Sequence, residues 1–190
     1  MAAEKDRAEN THGLSALKDN IHTILFGRIK EKERLRGQFF YIADTPEFMK
    51  ELGLTGDFFS IRYGVISRHL RKDIDHDLSE QNWLDLCKAI TDPFVITLNK
   101  NTFRLFTNVL VNCKTIVVCV NVKNINKNID INSISTAFGY RKRPVSGKII
   151  FKSKKITPEQ TALLDWSDTT SLPSVQRSNA EHYTQPIVNI

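Results

Sequence analysis

The chain has few cysteines and no long apolar segment, and each shortage removes a class of protein. Cys87, Cys113 and Cys119 are odd in number and none belongs to a CxxC pair, which argues against a disulfide framework, a structural zinc site and a dithiol redox site. No apolar run approaches the roughly 18 residues of a membrane-spanning helix, and the N-terminal residues are too polar for a secretory signal. We expect a cytoplasmic site of action without a membrane, and delivery from a phage particle or a secretion system stays open.

Glycine-rich phosphate-binding loops and the common hydrolase motifs are also missing. The sequence contains no GxGxxG, Walker loop, GxSxG or HExxH. This removes most nucleotide-dependent enzymes and several hydrolase families. We therefore expect no cofactor.

The composition is that of a globular protein with a basic balance. Of 190 residues, 41% are hydrophobic and 25% are charged, and the net charge of +6 gives an isoelectric point near 9.3. A basic domain favours a polyanionic partner, with nucleic acid first. The alternative is that the charge only keeps the protein soluble.

Hydrophobic periodicity divides the chain into three parts: an N-terminal helical segment (1–37), an α+β domain (38–155) and a polar, weakly ordered tail (156–190). Residues Gln38 to Arg143 form the clearest part, a soluble, basic α+β domain. The pattern predicts N-terminal helices packed on a four- to five-stranded antiparallel sheet. The strand-like segments are Gln38–Ala43, Phe58–Arg62, Phe94–Leu98, Thr102–Leu110, Thr115–Val122, Ile129–Phe138 with a bulge, and a short edge segment, Lys148–Phe151.

Helical periodicity predicts a helix before the first strand and another before Asp92-Pro93. Apolar residues from Leu14 to Leu25 recur at helical spacing and predict a helix, whose extension as far as Gly37 is also compatible with the sequence. Asp77 or Ser79 can begin a later helix whose buried stripe is Trp83, Leu84, Leu86, Cys87 and Ile90. Asp92-Pro93 ends that helix, because the residue before proline avoids the helical conformation.

Two histidines carry the most suggestive chemistry. His69 and His76 would lie about 10 Å apart on one face of a continuous helix, and a helix followed by a loop could bring them closer. Two imidazoles can remove and donate protons near neutral pH, as cleavage of RNA by its own 2′-hydroxyl requires. The structural alternative is that His69 packs at a helix edge and His76 caps a loop. A metal site of His69, Asp73 and His76 ranks lower.

Basic side chains lie next to His69 in the sequence, and a group of hydroxyl and basic side chains follows later in the chain. Arg68, Arg71 and Lys72 surround His69 with positive charge that favours a phosphate, although a solvated helical face has the same pattern. Hydroxyls near the end of the last long strand could hydrogen-bond a phosphate beside a basic cluster. These residues are Ser133, Ser135, Thr136 and Tyr140, followed by Arg141, Lys142 and Arg143.

The order of these pieces resembles the C-terminal toxin domain of phage MuF-type proteins, which is grouped with the barnase, EndoU, colicin and RelE ribonuclease superfold. The segments that carry the resemblance are Phe40 to Pro46, Glu51 to Leu54, Ser60-Ile61, the Val65 to His69 helix, His76 and Asp92-Pro93. The resemblance covers roughly Gln38 to Arg143 and consists of short ordered motifs.

The resemblance implies an α+β fold and metal-independent RNA cleavage to a 2′,3′-cyclic phosphate. It implies His69 as general acid or base with His76 as its partner, Thr136 or Ser135 as a phosphate-contacting hydroxyl, and Arg68, Arg71 and Arg141 as electrostatic support. The family's Ser-x-Tyr-like motif falls on Thr136-Ala137-Phe138, where Phe138 lacks the phenol and Tyr140 is the candidate replacement. RNA is then the substrate, and an immunity protein is an expected partner.

Two rival hypotheses remain at this stage. The first is a binding module of the same fold that holds nucleic acid or a protein without catalysis. The second is a different toxin enzyme such as an ADP-ribosyltransferase, which would require an Arg, Ser-Thr-Ser and Glu arrangement. Glutamate is scarce after Arg34. A sequence of this kind does not reveal which RNA is cut.

Overall fold

The computed structural model describes residues 16–68, 78–125, 129–140 and 147–163. Within these ranges the chain forms six helices and seven strands, which confirms the α+β class. The helices are α1 (16–26), α2 (Ile29–Leu35), α3 (Glu47–Glu51), α4 (Tyr63–Arg68), α5 (Glu80–Ala89) and α6 (Pro158–Leu163). The strands are β1 (Phe39–Asp44), β2 (Phe58–Arg62), β3 (Val95–Asn99), β4 (Thr102–Val111), β5 (Lys114–Ile125), β6 (Ile129–Tyr140) and β7 (Lys148–Lys152).

The seven strands form one mixed sheet in the order β1-β2-β6-β5-β4-β3-β7. Strands β2 and β6 are parallel, and the other neighbouring pairs of these strands are antiparallel. The predicted sheet of four to five antiparallel strands was therefore too small. The β1–β2 hairpin joins the β3–β6 meander through a parallel pairing of distant segments, and local periodicity carries no sign of such a pairing.

Helices α1, α3, α4 and α5 cover one face of the sheet, and their apolar side chains share one core with it. Helix α1 belongs to this core, so the N-terminal segment packs directly against the strands. The buried members include Leu17, Ile21, Ile24, Phe48, Met49, Val65, Ile66, Trp83, Leu86 and Ile90 from the helical parts and Phe59, Ile61, Leu105, Val118 and Ile134 from the strands.

Local signals account for where the helices begin and end. Ser79 begins α5, where its side chain accepts a hydrogen bond from the Asn82 backbone, and Asn82 Oδ1 accepts one from the Ser79 backbone. The N-terminal helix does not continue to Gly37. It ends at residue 26, since Arg28 has an extended backbone and begins α2, its N–H donating to Glu31 Oε2 at 2.7 Å.

Three strands contain one extra residue that interrupts their pairing, and β4 has a larger irregularity between Phe106 and Leu110. The bulge expected in the Ile129–Phe138 segment is confirmed, and Ser135 is the residue left without a partner in the β5–β6 register. The two edge strands are bulged as well, β1 at Ile42 and β7 at Ile150. Each bulge bends its strand and locally increases the twist of the sheet.

One buried amide holds the parallel junction together. Asn132 Nδ2 donates to Thr45 Oγ1 at 2.7 Å, to Gly56 O at 3.0 Å and to Leu54 O at 3.2 Å. The Gly56 N–H donates in return to Asn132 Oδ1 at 3.3 Å. A single side chain on β6 thus fixes the loop that leads into β2.

We expect Gly56→Ala to lower the free energy of unfolding by about 2–4 kcal/mol. A β-carbon at this position would lie 2.4 Å from Asn132 N and 2.5 Å from Ile131 C, which are backbone atoms of β6 that cannot move aside. Denaturant unfolding measures the change. Gly64→Ala is the matched control, because a β-carbon there meets no atom within 4 Å, and its unfolding free energy should change by less than about 1 kcal/mol. Equal stability of the two variants would contradict the packing argument.

The three cysteines differ in exposure. Cys87 and Cys119 are buried, whereas Cys113 is exposed in the β4–β5 turn. Burial raises the pKa of the Cys87 thiol to about 12 and also raises the pKa of Cys119. Since the thiolate is the reactive species, the two buried thiols are shielded both by access and by ionisation.

We expect one thiol per native chain to react rapidly with a thiol reagent, and all three to react after unfolding in denaturant. The Cys113→Ser variant should lose the rapid phase, and the native protein should then react only as fast as it opens. Spectrophotometric thiol counting measures both phases. A rapid phase that survives in Cys113→Ser would mean that Cys87 or Cys119 is accessible in solution.

Candidate functional site

The face of the sheet opposite the helices divides into an apolar half and a polar half. The apolar half is a small core of Phe94, Val95, Phe106, Val117, Tyr140 and Ile149, on which Phe138 and Ile156 pack. The polar half is here called the polar half-face. Alternate side chains of a strand point to opposite faces, and the neighbours of these residues point into the helix-side core, so these residues point to the other face. Its members are Tyr41, Phe58, Ser60, Arg62, Thr102, Arg104, Cys119, Asn121, Lys123, Ser133 and Thr136.

Strand pairing arranges a polar row across the centre of this half-face. Tyr41 is opposite Ser60, Ser60 is opposite Ser133, and Ser133 is opposite Asn121. Thr102 Oγ1 donates to Asn121 Oδ1 at 2.8 Å, which extends the row onto β4. A continuous row of hydroxyl and amide groups therefore spans five strands.

Two hydroxyls in the middle of the row have unused hydrogen-bonding capacity. Ser60 and Ser133 are 0% and 1% exposed, and within the described ranges neither Oγ has a hydrogen-bond partner. Leaving a buried hydroxyl without a partner costs about 1–3 kcal/mol, so such positions are uncommon in folded proteins. The pair makes the centre of the half-face polar at a cost to stability.

A guanidinium, a thiol and a hydroxyl lie on adjacent strands beside this row. Cys119 is opposite Arg104 on β4 and opposite Thr136 on β6. Burial raises the pKa of the Cys119 thiol, while the charge of Arg104 and its hydrogen bond to the thiol oppose that rise. Thr136 is half-buried and on the same face. Arg104 and Thr136 are the pair best placed to contact an anion here.

The other predicted hydroxyls on β6 occupy different positions. Ser135 is the bulged residue, and its hydroxyl donates to the Cys119 carbonyl at 3.1 Å. Tyr140 is buried in the apolar half, where its ring packs edge-on against Phe106 with 5.2 Å between centroids. Of the four predicted hydroxyls on β6, Ser133 and Thr136 lie on the polar half-face, whereas Ser135 and Tyr140 do not.

Arg68 is exposed at the end of α4, and its Nε donates to the Gly64 carbonyl at 3.0 Å. Helix α4 is held by the buried side chains of Val65 and Ile66 and lies against β2 and β6. Helix α4 therefore ends at Arg68 on the helix side of the sheet, the face opposite Thr136.

Several predicted residues lie outside the described part of the chain. They are the two histidines and most of the basic cluster: His69, Arg71, Lys72, His76, Arg141, Lys142 and Arg143. Their roles remain predictions from the sequence.

The sheet edge beside the polar row carries aromatic and cationic side chains. The Arg62 guanidinium lies over the Phe39 ring, 4.1 Å from its centroid, and the Tyr41 and Phe58 rings are 5.6 Å apart. Tyr41 and Arg62 are exposed, whereas Phe39 and Phe58 are half-buried. Burial, together with the hydrogen bond to Asp44 and its charge, raises the pKa of the Tyr41 phenol to about 12.

Sequence reasoning selected Ser133 among the hydroxyls of the last long strand, but it did not select Arg104 or Ser60. A charge in the middle of the Thr102–Leu110 segment was the available signal for Arg104, since its neighbours Phe103 and Leu105 point into the core. The pairing of Ser60 with Ser133 gave no such signal, because it depends on the parallel register of β2 and β6.

Within the described ranges, no group of three or more histidine, cysteine or acidic side chains is arranged to hold a metal ion. No described helix has both the length and the apolar character needed to cross a membrane. No protein-family model, curated protein or solved structure matches this chain.

Proposed function

We propose that the protein is a metal-independent ribonuclease toxin domain that cleaves RNA by attack of the 2′-hydroxyl. The observation that carries the proposal is the polar half-face itself, where Arg104 and Thr136 lie on either side of Cys119 beside the row of hydroxyl and amide groups. Helix α4 ends at Arg68, the residue before His69, and β6 carries Thr136 on the polar half-face. Because α4 packs on the opposite face of the sheet, the proposal requires the chain beyond Arg68 to bring the His69 imidazole to the polar half-face.

The reaction assigns each group one task. In one order, His69 takes the proton of the 2′-hydroxyl, and the 2′-oxygen attacks the adjacent phosphorus. The bond from phosphorus to the 5′-oxygen breaks as His76 donates a proton to that oxygen, which leaves a 2′,3′-cyclic phosphate and a 5′-hydroxyl. The opposite assignment of the two histidines is chemically equivalent. Thr136, Arg104 and Arg68 would stabilise the charge on the phosphate.

The supporting features for an RNA substrate are charge and chemistry. The chain carries a net charge of +6, which favours association with a polyanion. The polar half-face presents hydroxyl, amide and guanidinium groups, all of which hydrogen-bond phosphate or ribose oxygens. A cell that makes such an enzyme requires an immunity protein, which is the second partner in this proposal.

The test is an assay of RNA cleavage by the purified full chain in the presence of EDTA. We expect single-stranded RNA to be cut and the fragments to end in 2′,3′-cyclic phosphate, identified by mass spectrometry. An RNA whose 2′-hydroxyls are methylated should stay intact, because its nucleophile is blocked. Loss of cleavage in EDTA, or cleavage of the methylated RNA, would contradict the proposed mechanism.

A binding module without catalysis is the second candidate. The positions of two residues favour this function. The Ser135 hydroxyl donates a hydrogen bond to the Cys119 carbonyl, and Tyr140 is buried in the apolar half. Both residues would then serve the fold and neither would contact RNA. Intact RNA after long incubation at high protein concentration, with salt-sensitive binding retained, would favour this function over cleavage.

A further inference from the structure

Four side chains at the β1–β2 edge form a continuous aromatic and cationic surface, here called the edge strip: Phe39, Tyr41, Phe58 and Arg62. Strand pairing sets their order, since Phe39 is opposite Arg62, Tyr41 is opposite Ser60, and Phe58 is opposite Asp44. Phe39 and Tyr41 are two residues apart on one strand, so their side chains stand about 7 Å apart on the same face. The strip is continuous with the polar row through Ser60.

The packing of the strip leaves ring surface and charge available on its outer side. Tyr41 is 38% exposed, one of the larger exposures among the apolar side chains of the described residues. Arg62 is exposed and stacked on Phe39, an arrangement that fixes the guanidinium plane. The exposed Tyr41 ring lies 5.6 Å from the Phe58 ring and beside the Arg62–Phe39 pair, so the exposed aromatic surface is a cluster and not one isolated side chain.

The charges around the strip favour an anion at one end. Arg62 is at the end nearer Thr136 and provides the positive charge there. Lys123 is on the same face, but it lies in the register row of Phe58 and Asp44, two strands from Phe58 through Ile131. Asp44 lies at the other end beside Tyr41, where its carboxylate can accept hydrogen bonds from the amino groups of bases. Rings flanked by cations with one carboxylate match a nucleobase better than a bare phosphate.

We propose that the edge strip is a stacking platform for the bases of single-stranded RNA. Aromatic side chains on a sheet surface accept unpaired bases of any sequence, while an adjacent arginine contacts the backbone. A duplex keeps its bases inside and offers no ring to stack. The proposal rests on the proposed function only in naming RNA as the nucleic acid, and it assigns recognition to the sheet edge.

The test measures binding of the full chain to a fluorescent single-stranded oligonucleotide with 2′-O-methyl riboses, which the proposed enzyme cannot cleave. Fluorescence anisotropy should show that Tyr41→Ala and Phe58→Ala each weaken binding by about 10-fold. Tyr41→Phe keeps the ring and should bind as the wild type does. Arg62→Ala should reduce the slope of log Kd against log salt concentration by about 0.7.

Matched controls distinguish binding at the edge strip from nonspecific binding by other exposed charges and apolar side chains. Phe26→Ala removes an aromatic ring on α1 that is 66% exposed, and it should leave binding unchanged. Lys88→Ala removes an exposed charge on the helix side and should have a smaller effect than Arg62→Ala. Heparin, a polyanion without bases, should bind all the aromatic variants equally. Thermal unfolding of each variant confirms that it is folded.

A Phe58→Trp variant gives a direct readout of stacking, since its emission should be quenched when the oligonucleotide binds, relative to the wild-type background. Absence of oligonucleotide binding, equal losses for Phe26→Ala and Tyr41→Ala, or binding of duplex RNA with equal affinity would overturn the inference. If the chain cleaves RNA and the strip variants bind the oligonucleotide as the wild type does, the stacking platform is wrong and the ribonuclease proposal is supported. If the strip variants weaken binding and the chain cleaves no RNA, the stacking platform is supported and the ribonuclease proposal is wrong.

Discussion

Replacing His69 with alanine is expected to slow RNA cleavage by about 10²- to 10⁴-fold, the usual contribution of one positioned proton-transfer group. The imidazole removes the 2′-hydroxyl proton or protonates the 5′-oxygen, and alanine can do neither. The measurement is the single-turnover rate with excess protein, which separates chemistry from substrate binding. Binding of a 2′-O-methyl RNA should change little, because the substitution alters few contacts with the backbone.

His22→Ala is the matched control for this substitution. His22 is exposed on α1, and its Nδ1 lies 2.9 Å from Glu80 Oε2 on the helix side of the sheet. Removing it costs a surface pair worth less than about 1 kcal/mol and should leave cleavage unchanged. Equal rates for His69→Ala and wild type, with both proteins folded, would remove His69 from the mechanism. His76→Ala then becomes the decisive variant.

Asn132→Ala should lower the free energy of unfolding by about 3–5 kcal/mol, the largest stability effect that we expect from one polar side chain in this protein. The substitution leaves the Gly56 N–H, the Gly56 and Leu54 carbonyls and the Thr45 hydroxyl without their present partner inside the fold. Burial of these groups without hydrogen bonds costs more than the lost bonds themselves. Denaturant unfolding at neutral pH measures the change.

Two further variants show whether the hydrogen bonds or the volume of Asn132 matter. Asn132→Asp keeps the shape but directs a carboxylate at two carbonyl oxygens, so it should be at least as unstable as the alanine variant. Asn121→Ala removes a half-buried amide that accepts one hydrogen bond from Thr102, and it should cost about 1 kcal/mol. Similar losses for Asn121→Ala and Asn132→Ala would mean that the junction does not depend on this amide.

Much of the local structure could be predicted from the sequence. Seven segments had the pattern of strands, and each corresponds to one strand of the sheet, with Phe58–Arg62 matching at both ends. The stripe of α5 and the bulge in β6 were also predicted, because period and turn chemistry act over a few residues. The order and register of the strands in the sheet could not be predicted from such local patterns. It depends on Ser60 meeting Ser133, two residues far apart in the chain, and no local pattern records that register.

The candidate site was predictable in part for the same reason. Thr136 was selected as a hydroxyl on a strand, and the structure places it opposite Cys119 on the polar half-face. Arg104 comes to that place only through the β4–β5 and β5–β6 pairings, so its neighbourhood was not visible in the sequence. Tyr140 had the composition of a site residue, but alternation along β6 places it in the apolar half.

The bulges at Ile42 and Ile150 also have a consequence for contacts between separate molecules. They lie on β1 and β7, the two strands whose outer backbone groups have no neighbour in the sheet. A regular edge strand is a template onto which another chain can add, and an extra residue breaks the spacing that such addition requires. Lysines at both ends of β7 add charge repulsion between identical edges. Both edge strands of the sheet are therefore poor templates for the addition of a strand from another molecule, which opposes growth into filaments.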